Sequence, residues 1–218
     1  MQRALFKSLR MTNRPKFTTK QRTIHVSICF IFGVLLGVIA KFSDTVSAIG
    51  VIGTFFRIIS DITTNIGLWV VLATLIAVWS KSAIFAGLKV MAFFIGMLLA
   101  YYVYSQVLFG FFPTYYFFRW GLIALVSPLA AYLVWFSRGN GWKPAFCAAL
   151  PIGLLLAQGY PFFYLFSIGF GVDLFFALFL LVVLTKSKSQ YLRVIPMSIL
   201  IFLIIRNTDI LTYIFGGL

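Results

Sequence analysis

The sequence predicts an all-α polytopic membrane protein, a bundle of about seven transmembrane helices. Of its 218 residues, 62% are hydrophobic and only 10% are charged, whereas soluble domains are roughly 45–50% apolar and about 25% charged. Apolar runs approaching the roughly 20 residues that cross a bilayer follow one another along the chain. We therefore expect a single transmembrane domain over residues 23–218, preceded by a basic tail over residues 1–22.

The basic tail holds seven of the 18 Lys and Arg residues and no acid. Its cations are Arg3, Lys7, Arg10, Arg14, Lys16, Lys20 and Arg22. Cations beside the first apolar run stay on the cytoplasmic side of a membrane, and they attract anionic lipid headgroups. The tail therefore predicts a cytoplasmic N-terminus that is anchored on the lipid surface, followed by an uncleaved first span.

Seven apolar runs are the predicted spans, at residues 23–40, 66–80, 84–107, 120–136, 144–157, 174–184 and 195–205. The last two runs are short, so six or eight spans also fit. The first run contains Gly33 and Gly37 at GxxxG spacing, which permits close helix packing. Ordinary glycine usage in a membrane helix is the interpretation we favour. Residues 158–173 are predicted to be an outer loop, which places Asp173 at the edge of the sixth span.

Residues 42–65, between the first two spans, have polar and apolar faces at helical periodicity. Arg57 and Asp61 are four residues apart, so they share one face and are placed to pair. We predict an amphipathic helix on the outer side of the membrane. The pattern leaves open whether this helix lies on the surface or re-enters the bilayer.

A cytoplasmic N-terminus places fourteen of the 18 Lys and Arg residues on the inner side, as the positive-inside rule requires. The same topology places every acid on the outer side. These acids are Asp44, Asp61, Asp173 and Asp209, and the chain has no Glu. Because the rule depends on Lys and Arg and says little about acids, this segregation is a separate observation.

The outer polar cluster is the predicted site, because charged residues near membrane depth are costly and tend to pair or to line a ligand route. Its members are Asp44, Arg57, Asp61, Arg119, Asp173, Arg206 and Asp209, with Tyr115 and Tyr160 beside them. The competing interpretation is that these residues form water-exposed ion pairs that anchor the span ends.

Other chemistries have little support in the sequence. The basic residues occur in short tracts between spans, which argues against a nucleic-acid partner. There is no CxxC or HExxH spacing, so we predict no metal and no cofactor. His25 and Cys29 lie one turn apart and Cys147 is predicted at a similar depth, which would suit a membrane thiol peptidase. Intramembrane cysteines are usually small hydrophobes, however, so we predict no enzyme.

Three stretches carry a resemblance to known proteins: residues 67–80 (GLWVVLATLIAVWS), 96–102 (GMLLAYY) and 149–160 (ALPIGLLLAQGY). They resemble a family of small membrane proteins from Gram-positive bacteria that has no assigned function. The resemblance implies a bacterial origin and the cytoplasmic membrane as the location. The chain length and the outer cluster are also similar to those of substrate-binding subunits of energy-coupling-factor transporters, in which Gly33 and Gly37 would represent the small-residue motif of the first span.

These observations predict an integral, transport-related membrane protein that binds a small solute or ion in its outer half. The alternative is a non-catalytic accessory, assembly or immunity subunit that packs its apolar surface on a larger membrane complex, such as another transporter subunit. In either case the predicted partners are the bilayer, its anionic headgroups and another membrane protein.

Overall fold

The computed structural model describes residues 18–46, 49–110 and 112–208. These residues form helices and short connections, with no β-strand among them. Five predicted anchoring residues lie outside the described residues: Arg3, Lys7, Arg10, Arg14 and Lys16. The predicted site residue Asp209 lies outside them as well.

The helices are α1 (Thr19–Thr45), α2 (Gly50–Thr64), α3 (Ile66–Val78), α4 (Ala83–Phe109), α5 (Thr114–Val134), α6 (Trp142–Gly159), α7 (Phe162–Leu165), α8 (Ile168–Leu184) and α9 (Lys188–Asn207). A 3-10 turn, Trp135–Arg138, follows α5. Within the described residues, α1, α4, α5, α6 and α9 are long and apolar enough to cross a membrane, and α2 with α3 passes as a bent pair. With the shorter apolar α8, these helices match the seven predicted runs and confirm an all-α bundle.

Several helices begin earlier or end later than the apolar runs. α5 and α8 each begin six residues before the predicted span, which puts Arg119 and Asp173 on helices rather than in loops. α1 extends to Thr45, so Asp44 belongs to the first helix and not to the amphipathic one. The apolar runs were ended at polar residues, whereas a helical backbone can continue through a polar residue whose side chain packs within the bundle.

α2 and α3 are separate helices that meet at Asn65 with a bend of 66°. Gly53 is the only described residue of α2 that is buried, as the amphipathic pattern predicts for a helix that packs one face. The ring of Phe56 packs edge-on against Phe42 of α1, with centroids 5.3 Å apart. α2 therefore lies against the end of α1 and leads directly into α3.

α1 and α4 approach each other closely at their glycines. A Cβ added at Gly33 or Gly37 would overlap the backbone carbonyl of Phe93 or Met97, and one at Gly96 would overlap the carbonyl of Phe30. The glycines therefore let the two backbones touch, as small residues do in membrane helix pairs. The preference for ordinary glycine usage is wrong for this pair.

Residue contacts define two ends of the bundle. Gly33 meets Phe93 and Gly37 meets Met97, so α1 and α4 run parallel, while Gly87 of α4 meets Pro128 of α5 in an antiparallel contact. We call the end where α1 and α4 finish the Asp44 end, and the end where α5 finishes the Arg138 end. α3, α5 and α8 begin at the Asp44 end, and α6 and α9 finish there.

Candidate functional site

A cavity of about 360 Å³ lies at the Asp44 end, between α1, the α2–α3 bend, α4 and α5. Three charged residues line it: Lys41 and Asp44 from α1, and Arg119 from α5. Two of these, Asp44 and Arg119, belong to the predicted cluster. The structure therefore brings part of that cluster together around a space large enough for a small molecule.

Asp44 is held by three side-chain donors from three helices. Lys41 Nζ on α1 lies 3.4 Å from Oδ2, Ser60 Oγ on α2 donates to Oδ1 at 2.7 Å, and Tyr101 OH on α4 donates to Oδ2 at 2.8 Å. Hydrogen bonds to a charged acceptor are stronger than neutral ones. The Asp44 carboxylate thus ties α2 and α4 to the end of α1 and forms one fixed wall of the cavity.

Lys41 is held on the same wall by aromatic rings as well as by Asp44. Its Nζ lies 4.8 Å from the ring centroid of Tyr101 and 5.1 Å from that of Phe109. Only 12% of its side chain is exposed. A cation over ring faces is stabilised by the ring quadrupoles, so the ammonium group is fixed next to Asp44 and its charge is balanced there.

Arg119 lies on the α5 side of the cavity and has no carboxylate partner among the described residues. Its guanidinium carbon lies 4.3 Å from the ring centroid of Tyr115. Its Nη1 is buried and has no hydrogen-bond partner in the part of the chain that the structure describes. An unsatisfied buried donor costs about 1–3 kcal/mol, and more when it is charged. Arg119 is therefore the least satisfied charged group on the cavity.

The remaining walls are largely aromatic. Trp69, which is 3% exposed, lines the cavity from α3, and its Nε1 donates to the Thr63 carbonyl at 2.8 Å across the α2–α3 bend. Tyr102, also 3% exposed, lines it from α4, and Trp120 lines it from α5. Flat rings that are partly fixed by hydrogen bonds suit a flat apolar ligand.

The other predicted site residues that the structure describes do not line this cavity. Arg57 and Asp61 are both exposed, and no ion pair forms between them, since the ion pair of the described residues is Lys41–Asp44. Arg206 stacks on Tyr160, with its guanidinium carbon 3.8 Å from the ring centroid. The ion pair predicted between Arg57 and Asp61 is therefore not formed.

Asp173 is buried in the helix bundle and is only 2% exposed. Its carboxyl group lies directly against Gly67 of α3, where a Cβ would overlap it, and Leu155 of α6 is also next to that position. Its Oδ2 has no hydrogen-bond partner within residues 18–46, 49–110 and 112–208. The loop position predicted for Asp173 is wrong, because α8 begins before it and turns its side chain into the bundle.

Sequence reasoning missed Lys41, Ser60 and Tyr101 as partners of Asp44. Lys41 precedes Asp44 by three residues, a spacing that brings two side chains together on a helix, so a longer first helix would have revealed that pair. Tyr101 is 57 residues away, and nothing in the local sequence signals its contact with Asp44.

The geometry suits noncovalent binding by charge and by aromatic surface. Among the described residues, no group of three or more His, Cys, Asp or Glu side chains is placed to hold a metal ion. His25 packs edge-on against Phe85 at 6.5 Å, and Cys29 and Cys147 are buried free thiols. No protein-family model, curated protein or solved structure matches this chain.

Proposed function

We propose that this integral membrane protein is transport-related and binds a small solute in the cavity at the Asp44 end. The observation that carries the proposal is the cavity of about 360 Å³ itself, with charged residues on two of its walls. Binding sites for small molecules are mostly apolar pockets of roughly 300–1,000 Å³ with a few fixed polar groups. A cavity of about 360 Å³ falls within this range, so the space suits a small organic molecule.

The bend between α2 and α3 supports a transport-related role. Thr63 and Thr64, the last residues of α2, and Trp69 of α3 all line the cavity. Discontinuous helices that border a binding site are a recurring feature of secondary transporters. In the predicted topology the Asp44 end faces outward, so the solute would enter from the outer side. The accessory-subunit alternative rests on the apolar exterior, which a bilayer also covers.

The proposal is tested by filling the cavity from an exposed position. Thr64 lines the cavity and is itself exposed, so Thr64→Trp places an indole in the cavity without replacing a core residue. Thr54→Trp is the matched control, because Thr54 is an exposed threonine of the same helix that does not line the cavity.

A panel of small metabolites is screened for compounds that raise the melting temperature of the detergent-purified protein. We expect compounds that stabilise the wild type and Thr54→Trp but not Thr64→Trp, because a ligand stabilises only the state that binds it. Compounds that stabilise Thr64→Trp as much as the wild type would contradict binding in this cavity, as would a panel with no stabilising compound.

A further inference from the structure

We infer that the solute bound in this cavity is a small organic monoanion, a carboxylate with a flat apolar body, and that Arg119 binds its carboxylate. The inference rests on the proposed function, that the cavity binds a small solute, and it adds the chemical class of that solute. Three features carry it: the charge balance of the cavity, the unused hydrogen-bonding capacity of Arg119, and the aromatic walls.

Among the described residues, the charges that line the cavity do not cancel. Lys41 contributes one positive charge, Asp44 one negative charge and Arg119 one positive charge, which leaves one positive charge. Lys41 and Asp44 are 3.4 Å apart and neutralise each other. The uncompensated charge is therefore that of Arg119, on the α5 side. A ligand with a single negative charge completes the balance, whereas a cationic ligand would add to the excess.

The hydrogen-bonding capacity of the cavity points in the same direction. Both oxygens of Asp44 already accept bonds, from Ser60 on one side and from Tyr101 and Lys41 on the other. Three donors therefore already hold this carboxylate. Arg119, by contrast, lines the cavity with no carboxylate partner among the described residues, and its Nη1 has no hydrogen-bond partner among them. The least satisfied side chain on the cavity is a donor, so the matching ligand group is an acceptor.

The shape of the guanidinium and the single excess charge favour a carboxylate over a phosphate monoester. Arginine presents donors in a planar fork that matches the two oxygens of a carboxylate. A phosphate monoester carries about −1.5 to −2 charges at pH 7, which exceeds the single positive charge available. The ring of Tyr115, whose centroid lies 4.3 Å from the guanidinium carbon of Arg119, restrains the orientation of the guanidinium plane.

The aromatic side chains that line the cavity indicate the chemistry of the non-ionic part of the ligand. Trp69 and Tyr102 are almost fully buried and Trp120 completes the lining, so the non-ionic part of the ligand meets aromatic surface. Aromatic side chains contribute large apolar contact area with a preferred geometry for flat partners. A small aryl or alicyclic carboxylate suits a pocket of this size and supplies the single negative charge.

The test compares three carboxylates with their neutral amides: 3-phenylpropanoate, 3-cyclohexylpropanoate and octanoate. Binding to the purified full-length protein is followed by tryptophan fluorescence, because Trp69 and Trp120 line the cavity. We expect at least one acid to bind about tenfold or more tightly than its amide, since a charge-assisted pair contributes more than a neutral hydrogen bond. The amine 3-phenylpropylamine should not bind.

Arg119→Gln should remove the preference for the acid over the amide, and Arg119→Lys should retain part of it. Arg206→Gln is the matched control: Arg206 also stacks on a tyrosine, at 3.8 Å from the Tyr160 ring, but it does not line the cavity. The acid preference should survive in Arg206→Gln. The melting temperature of each Arg119 variant tests whether that variant is folded. If Arg119→Gln does not fold, Arg119→Lys serves for the comparison.

An anionic lipid headgroup offers a phosphate diester with a single negative charge, so the binding measurement is repeated in phosphatidylcholine nanodiscs with and without phosphatidylglycerol. Equal carboxylate affinity in both supports a free solute. Loss of carboxylate binding in the presence of phosphatidylglycerol assigns Arg119 to a lipid phosphate and overturns the inference.

Amides that bind as well as acids, or an acid preference that persists in Arg119→Gln, would also overturn it, as would a lack of binding by all three acids. Because the panel in the Thr64→Trp test is not limited to carboxylates, the proposed function can hold even where the carboxylate inference fails.

Discussion

Two helix contacts in the bundle combine a glycine with an aspartate, and they differ in what the glycine touches. In the α1–α4 contact, Gly33 lies against the backbone carbonyl of Phe93, and Asp44 lies farther along α1 with three hydrogen-bond donors around it. In the α3–α8 contact, Gly67 lies against the carboxyl group of Asp173 itself, and Asp173 Oδ2 has no partner.

The two contacts differ in whether the nearby carboxyl group has hydrogen-bond partners. Asp44, near the α1–α4 contact, has three donors, whereas Asp173 Oδ2, in the α3–α8 contact, has none among the described residues. In α1–α4, close backbone contact and the Asp44 hydrogen bonds stabilise the same arrangement of helices. In α3–α8, the glycine makes room for a carboxyl group whose burial without a partner opposes stability. We therefore expect changes in the α1–α4 contact to lower stability more than changes in the α3–α8 contact.

The largest effect is expected from Gly33→Ala. The new methyl group would overlap the Phe93 carbonyl, and a backbone atom in a helix cannot move aside without separating the helices. We expect a loss of about 3 kcal/mol in the free energy of unfolding, at the upper end of overpacking effects, measured by reversible unfolding in mixed micelles. The control is Gly121→Ala, since no atom lies within 4 Å of a Cβ at that position. Equal stability of the two variants would contradict the α1–α4 contact.

A smaller effect is expected from Gly67→Ala, about 2 kcal/mol, because the obstructing group is a side chain that can partly shift. The second substitution Asp173→Ala should recover most of that loss, since it removes the carboxyl group that the new methyl group would meet. A double-mutant cycle measures this coupling. Additive losses from Gly67→Ala and Asp173→Ala would show that these two residues do not touch.

The smallest effect, and the sharpest contrast, is expected from replacing each aspartate with asparagine. Asp44→Asn weakens three hydrogen bonds to a charged acceptor, and with 30% of the side chain exposed the loss should be about 1–2 kcal/mol. Asp173→Asn removes the negative charge of a buried carboxyl group that has no cationic partner among the described residues. The free energy of unfolding should therefore stay unchanged or rise slightly. Thermal unfolding of the two variants in one detergent provides the comparison. A greater loss in Asp173→Asn would reveal a stabilising partner for that carboxyl group.

Much of the fold was predictable because a bilayer imposes a simple requirement on sequence. Each apolar run corresponds to one helix, as expected where backbone polar groups must be satisfied within the segment. The helix ends were less predictable, since α5 and α8 each begin six residues before the predicted span, and hydropathy does not distinguish helix from loop there. That error placed Asp173 in a loop, although the structure buries it in the bundle.

The candidate site was predictable only in part. The segregation of acids identified Asp44 as a candidate, and charge at membrane depth identified Arg119. The same reasoning included Arg57 and Asp61, which are exposed, because the sequence does not show which face of α2 turns toward the bundle. Tyr101 and Trp69 acquire their roles through contacts with residues on other helices, and those contacts depend on how the helices cross.

The sequence by itself determined that the chain is a membrane-spanning helical protein and that Asp44, Asp61 and Asp173 lie at the same end of the bundle. Both conclusions follow from the hydropathy and charge of individual residues along the chain. Only the tertiary structure decided that Lys41, Asp44 and Arg119 share a cavity while Asp173 lies apart from it against Gly67. The reason is that pairing and burial depend on the crossing of α1 with α4 and of α3 with α8. Those crossings are set by close packing between residues that are distant in the chain.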